Sequence, residues 1–107
     1  MAVDVGNLLQ SMIGAGEGLG ADVWNKMQTY AVPELHKIAV QIAAIADHIT
    51  DYTPEGAKAL FDMQVKASIG VIAGMTEMTL LAVQTAINAI LNAIRGFVNG
   101  AIGFTLV

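Results

Sequence analysis

The sequence contains no cysteine, only two prolines and few charged residues, and each scarcity narrows the possible classes of protein. Without cysteine the chain forms no disulfide and offers no thiolate to a metal ion. Charged residues make up 13% of the 107 residues, against about 25% in ordinary soluble domains. The formal net charge is −4, so no basic face is available to neutralise phosphates, which argues against nucleic acid as a partner.

Apolar residues are abundant instead, at 55% of the chain with a mean hydropathy of +0.61. A chain of this length forms one domain at most, and a small monomer needs many polar residues to cover its surface. Residues 67–107 hold only two charged side chains, Glu77 and Arg95. We therefore expect the chain to contact copies of itself, lipid, or both.

The N-terminal sequence MAVDVGNLLQ has no basic segment followed by a long apolar core, so no ordinary cleavable signal peptide is evident. We expect a location at the cell surface or outside the cell, reached without such a signal, or at a membrane.

No segment alternates polar and apolar residues as a half-buried strand does, so the sequence predicts a single all-α domain. Residues 1–32 are predicted to be helical, with a glycine-rich interruption at 14–20. Both a break and a weak, tightly packed helix remain open there. Pro33 fits the first turn of a second helix over 33–52.

The segment Thr53–Glu55 supplies an N-cap, a first-position proline and an acidic first turn for a third helix. Because no proline follows, we predict one long helix over 54–103. The expected architecture is a helical hairpin, with a shorter N-terminal helix and a long C-terminal helix, packed within a homo-oligomeric assembly.

Small residues recur every three or four positions along this long segment, a period that keeps one edge facing a partner helix. Alanine alone would suit a compact bundle, but repeated glycine lowers helix stability. We therefore predict a glycine zipper, a close-packed seam between chains. This small-residue stripe comprises Ala67, Gly70, Gly74, Ala82, Ala86, Ala89, Ala93, Gly96, Gly100 and Gly103.

Polar residues form a second stripe on the same segment, and apolar residues occupy most of the remaining surface. We predict that this polar stripe faces solvent or the lumen of an assembly. Its members are Glu77, Gln84, Asn88, Asn92, Arg95 and Asn99.

Residues that often carry chemistry are sparse. His36 and His48 lie in no Glu-x-x-His pair of the kind that di-iron bundles use. The stretch GAGEGLG differs from the GxGxxG spacing and follows no strand. The sequence therefore predicts no catalytic, cofactor-binding or metal-binding residues and no enzyme activity.

From Pro54 onward, the order TPEGAKALFDMQ and then AINAIL resembles the C-terminal half of type III secretion needle and inner-rod subunits. The resemblance covers residues 54–91 and implies a helical hairpin with a long C-terminal helix lining a tube. The sequence departs from those subunits in being far more apolar, and it is also similar to lipid-associated conjugative pilins. The matching positions are Pro54, Leu60, Gln64, Ala86, Ile87, Ile90 and Leu91.

Two functions remain open at this point. The first is a structural protein that self-assembles into a filament, tube or similar homopolymer, such as an extracellular or secretion-related appendage. The alternative is a membrane-inserting, holin-like or pore-forming protein, since residues 67–94 contain Glu77 as their only charge and are long enough to span a bilayer.

Overall fold

The computed structural model describes residues 3–107, and in that range the chain forms α-helices, one short 3₁₀ turn and no strand. The all-α prediction is confirmed. The α-helices are α1 (Val5–Glu17), α2 (Ala21–Asp47), α3 (Pro54–Met75) and α4 (Leu80–Ile102), and the 3₁₀ turn is Ile49–Asp51.

The helices pack as an up-and-down bundle, because short connections make successive helices antiparallel. α1 and α3 each contact both α2 and α4. The molecule measures 40 × 22 × 18 Å, and its long axis matches the roughly 40 Å expected for the 27 residues of α2. Each helix contributes large buried side chains to one core, among them Leu8, Met12, Met27, Ile38, Ile42, Phe61, Ile72, Ile87 and Ile90.

The start of α3 confirms the predicted cap. The Thr53 hydroxyl accepts a hydrogen bond from the Gly56 N–H at 3.0 Å, and Pro54 occupies the first turn, where its missing N–H removes no helical hydrogen bond. Glu55 adds a negative charge at the positive end of the helix dipole.

The predicted helix start at Pro33 is wrong, because α2 runs through this residue from Ala21 to Asp47. An interior proline costs about 3 kcal/mol, so tertiary burial has to outweigh it. Buried side chains lie on both sides, Met27 before the proline and Leu35 after it. Pro33 and Thr29 are exposed, so the Thr29 carbonyl that loses its helical partner can bond to water.

The predicted single helix over 54–103 is also wrong, since α3 ends at Met75 and α4 begins at Leu80. Threonine hydroxyls end and restart the helix where no proline is present. The Thr76 hydroxyl accepts from the Met78 N–H at 3.2 Å, and the Thr79 hydroxyl caps α4 by accepting from the Ala82 N–H at 3.1 Å. The predicted two-armed hairpin with a long C-terminal helix is thus replaced by a four-helix arrangement whose longest helix is α2.

The glycine-rich segment is part helix and part turn. α1 continues to Glu17, and the chain reverses at Gly18–Gly20, where Gly20 has a φ of 105° that favours glycine. Gly16 lies in the last turn of α1 directly beneath the indole of Trp24. Of the two possibilities left open by the sequence, a break holds for residues 18–20, whereas residues 14–17 are helical and close packing is found at Gly16.

Candidate self-association surfaces

The turn at Thr76–Thr79 divides the small-residue stripe between two helices. Its first three members lie on α3 and the rest on α4 or at its C-terminal end. Ala86 is buried in the core, and Gly103 has a φ of 93° at the C-cap of α4, so both have a role within the chain. The exposed members are Ala67, Gly70 and Gly74 on α3, and Ala82, Ala89, Ala93, Gly96 and Gly100 on α4, together with Gly103 itself.

Four helical glycines on these surfaces have open space where a side chain would project. At Gly70, Gly74, Gly96 and Gly100, a Cβ would meet no other atom within 4 Å among residues 3–107, apart from immediate neighbours and the local helix backbone. None of the four has a positive φ. Neither close packing inside the chain nor backbone conformation therefore requires glycine at these positions.

The side of α3 that points away from the bundle is uncharged for about four turns, from Ala59 to Gly74. Its larger side chains are well exposed: Leu60 by 41%, Met63 by 68% and Val71 by 43%. We call this surface the α3 outer face. It comprises Ala59, Leu60, Met63, Ala67, Gly70, Val71 and Gly74.

A charged flank separates the α3 outer face from α4. It is formed by Lys58, Asp62 and Lys66, spaced four residues apart on α3 and exposed. This spacing places the three side chains one above another along the helix. Water therefore reaches α3 along this flank, and the apolar outer face begins beyond it.

The polar stripe lies beside this flank, along the groove between α3 and α4. Asn88 and Asn92 line a cavity of about 320 Å³ together with Phe61 and Leu91. Gln84 lies near Lys66 in the same groove. In the single chain Gln84, Asn88, Asn92 and Arg95 are exposed and Asn99 is half-buried, whereas Glu77 falls in the α3–α4 connection, off both helices.

The last members of the polar stripe hold the C-terminal segment against α4. The Asn99 carboxamide oxygen accepts from the backbone N–H groups of Leu106 and Val107 at 2.9 and 3.1 Å. Its Nδ2 and the Arg95 Nε both donate to the Val107 oxygen at 3.3 Å. The positive φ of Gly103 allows the chain to turn back along α4 after the helix ends, and Leu106 is then 1% exposed. No sequence pattern indicates this contact, because it depends on the chain folding back onto α4.

An apolar cavity of about 490 Å³ lies at the opposite end of the bundle, where α1 turns into α2 and α3 into α4. Leu19, Val23 and Met78 line it, with Leu81 at its rim. Leu81 and the neighbouring Leu80 are 72% and 60% exposed. The contributing polar groups are threonine hydroxyls, so the cavity has no acid or base in its lining.

The titratable side chains do not assemble into a reactive cluster in the part of the chain that the structure describes. Glu34 is buried and its carboxylate lies 2.9 Å from the Lys37 ammonium. His48 Nδ1 lies 3.5 Å from an Asp51 carboxylate oxygen, with both side chains mostly exposed. Across residues 3–107, no three His, Asp or Glu side chains are close enough together to hold a metal ion.

Within the described residues, α4 is long and apolar enough to cross a membrane. In the bundle, 39% of its most apolar window is buried. Core helices of soluble proteins pass the same test, so this property is compatible with either solvent or lipid.

Comparison with known proteins finds no matching family model, no similar curated protein and no similar solved structure.

Proposed function

We propose that this chain is a structural protein that self-assembles, through close packing of small-residue helix surfaces, into a filament, tube or similar homopolymer. The observation that carries the proposal is the open space at Gly70, Gly74, Gly96 and Gly100. Gly16, by contrast, has a reason within the chain to be glycine, because it packs against an aromatic ring.

The energetic argument rests on the cost of glycine in a helix. Each interior glycine destabilises a helix by about 0.8–1.0 kcal/mol relative to alanine. Gly74 and Gly100 lie in the last turns of their helices, where the cost is smaller, so the four together cost about 2–4 kcal/mol. Nothing within the chain offsets this cost. A second helix can offset it, because the missing side chains let two backbones approach and make many additional dispersion contacts.

The exposed part of the stripe on α4 is long enough for such a contact. Ala82 and Gly100 are 18 residues apart on one helix, which corresponds to roughly 27 Å along its axis. Contacts of this kind that do not close into rings produce open fibres. The resemblance to secretion needle and rod subunits supports an appendage at the cell surface as the setting.

The test compares Gly96→Leu and Gly100→Leu with Asn88→Leu, a substitution on the polar stripe of the same helix. We expect fibres or large particles from the unmodified protein in negative-stain microscopy at neutral pH, and sedimentation of the two glycine variants as small species. Both variants should remain helical by circular dichroism, because each position is exposed. Asn88→Leu adds the same apolar group outside the small-residue stripe, and this variant should assemble normally.

Two outcomes contradict the proposal. One is an unmodified protein that stays monomeric at every concentration tested. The other is assembly of both glycine variants to the same extent as the unmodified protein.

A second function, membrane insertion as a holin-like or pore-forming protein, is favoured by the length and apolar composition of α4. In that setting the same small residues would pack helices within lipid, and Asn88, Asn92 and Arg95 would line a pore. Flotation with liposomes and leakage of an enclosed dye at low protein concentration support this function. Absence of both, with fibres present, supports the homopolymer.

A further inference from the structure

We propose that the apolar cavity at the end of the bundle, between the α1–α2 turn and the α3–α4 turn, binds a single-chain amphiphile whose head group is not anionic. This site lies within one chain, so the inference goes beyond the proposed self-association and does not depend on it. Three observations carry it: the volume of the cavity, the chemistry of its lining and the charges around it.

The volume of the cavity suits one alkyl chain. The cavity measures about 490 Å³, within the range of about 300–1,000 Å³ that small-molecule sites occupy. An apolar cavity of about 150 Å³ is enough for benzene, so this one has room for roughly twelve or more carbon atoms. That corresponds to a single chain rather than to the two chains of a bilayer lipid.

The lining of the cavity is apolar apart from two threonine hydroxyls. The first turns of α2 and α4 form its walls, with Leu19 and Met78 contributed by the two connections. On α4 the space is kept open by Ala82 and Ala86, which lie one turn apart and each present only a methyl group. A bound alkyl chain would also cover part of Leu81, which is 72% exposed at the rim, and its removal from water favours binding.

The charges around the cavity are acidic. Glu17, Asp22 and Glu77 are exposed, and each lies within two residues of a residue that lines the cavity. None of the three belongs to an ion pair within residues 3–107, and neither turn contains a base. An anionic head group at the mouth is therefore repelled, whereas a cationic one is attracted and a neutral one is accepted.

Titration calorimetry with three probes that carry similar alkyl chains tests the site. The probes are dodecyltrimethylammonium, dodecyl maltoside and dodecanoate, each kept below its critical micelle concentration. The protein is used at a concentration where sedimentation shows a monomer, and circular dichroism checks that it stays folded. We expect saturable binding at one site for the first two probes, and binding about tenfold weaker for dodecanoate at low ionic strength.

A pair of variants on adjacent residues locates the binding. Thr85→Phe places a ring in the cavity, which Thr85 lines, and should weaken dodecyl maltoside binding about tenfold or more. Gln84→Phe adds the same ring on the neighbouring residue, which lines the groove beside Lys66 instead, and should leave binding unchanged. Both positions are exposed, so both variants should fold.

The discrimination between head groups has its own variant. Replacing Glu17, Asp22 and Glu77 together by their amides removes the acidic charges and leaves the lining intact. Dodecanoate should then bind nearly as tightly as dodecyltrimethylammonium. An unchanged ratio between these two probes would show that the acidic residues do not act on the head group.

The outcomes separate this inference from the proposed function. Probe binding that does not saturate, or that Thr85→Phe and Gln84→Phe affect equally, overturns the site whether or not fibres form. Binding to phosphatidylcholine vesicles without binding of the dispersed probes indicates a membrane-facing surface and overturns it as well. If no probe binds and Thr85→Phe blocks assembly, the cavity receives a second copy of the chain instead of an amphiphile.

Discussion

Replacing Gly16 with alanine adds one methyl group where the end of α1 packs against the start of α2. The new Cβ would lie 2.6 Å from Cε3 and 2.7 Å from Cη2 of Trp24, well inside ordinary van der Waals contact. The indole is rigid and only 5% exposed, so it cannot move aside without disturbing the core. Overpacking of this kind costs about 1–3 kcal/mol.

The same substitution at Gly70 provides a matched control. Gly70 is also helical, but its Cβ position is open, so only the propensity gain of about 0.8–1.0 kcal/mol remains. Gly16 lies one residue from the end of α1, where that gain is smaller. We therefore expect Gly16→Ala to lower the free energy of unfolding and Gly70→Ala to raise it, with a difference of about 2–4 kcal/mol between the variants.

Urea unfolding followed by circular dichroism measures the difference directly. For a domain of this size, 1 kcal/mol corresponds to about 4–8 °C in Tm, so thermal unfolding gives an independent reading. Both measurements belong at a protein concentration where sedimentation shows a monomer, because self-association would stabilise the folded state by mass action. Equal stability of the two variants would refute the packing argument, since the sequence context of both residues is helical.

Three further perturbations test individual contacts. Thr79→Ala removes the hydroxyl that caps α4 and should lower the free energy of unfolding by about 1 kcal/mol in urea titration, whereas an unchanged midpoint would mean that the cap contributes nothing. Lys37→Met leaves the Glu34 carboxylate buried without its ammonium partner and should cost about 1–2 kcal/mol. Adding Glu34→Gln to Lys37→Met should recover part of that loss, and a further loss would contradict the pairing. Asn99→Ala removes both hydrogen-bonding groups that hold the C-terminal segment and should abolish amide hydrogen-exchange protection at Leu106, which persistence of protection would refute.

Helix content and one helix boundary could be predicted because they depend on local chemistry. The cap at Thr53 and the proline that follows it act on adjacent backbone groups, so sequence alone was sufficient. The two incorrect boundaries had different causes. Pro33 is tolerated because the helix on both sides of it is buried against α1 and α3, which no local rule describes. The turn at Thr76–Thr79 is set by threonine hydroxyls, which are a weaker sequence signal than proline. Because no proline is present there, an uninterrupted helix was predicted.

The candidate surfaces were only partly predictable for the same reason. Glycine spacing identified the helix edges, but the sequence could not distinguish Gly16, which is packed against an indole, from Gly70, which is open. The exposed side chains of the α3 outer face went unnoticed. Their signal was nevertheless present, because Leu60, Met63, Ala67 and Gly74 follow the three- and four-residue spacing of one helix face and none is charged.

The position of the turn at Thr76–Thr79 bears directly on how copies would assemble. A single uninterrupted helix would present one continuous small-residue edge to its partners. The turn instead gives each copy two separate surfaces, on α3 and on α4, divided by the charged flank and the polar stripe. A polymer grows only when each copy contacts at least two others, and two separate surfaces on one copy allow this. Gly96→Leu blocks the α4 stripe and leaves α3 unchanged, so it should halt assembly at a small species, which sedimentation can resolve; large particles from this variant would contradict the need for the α4 surface.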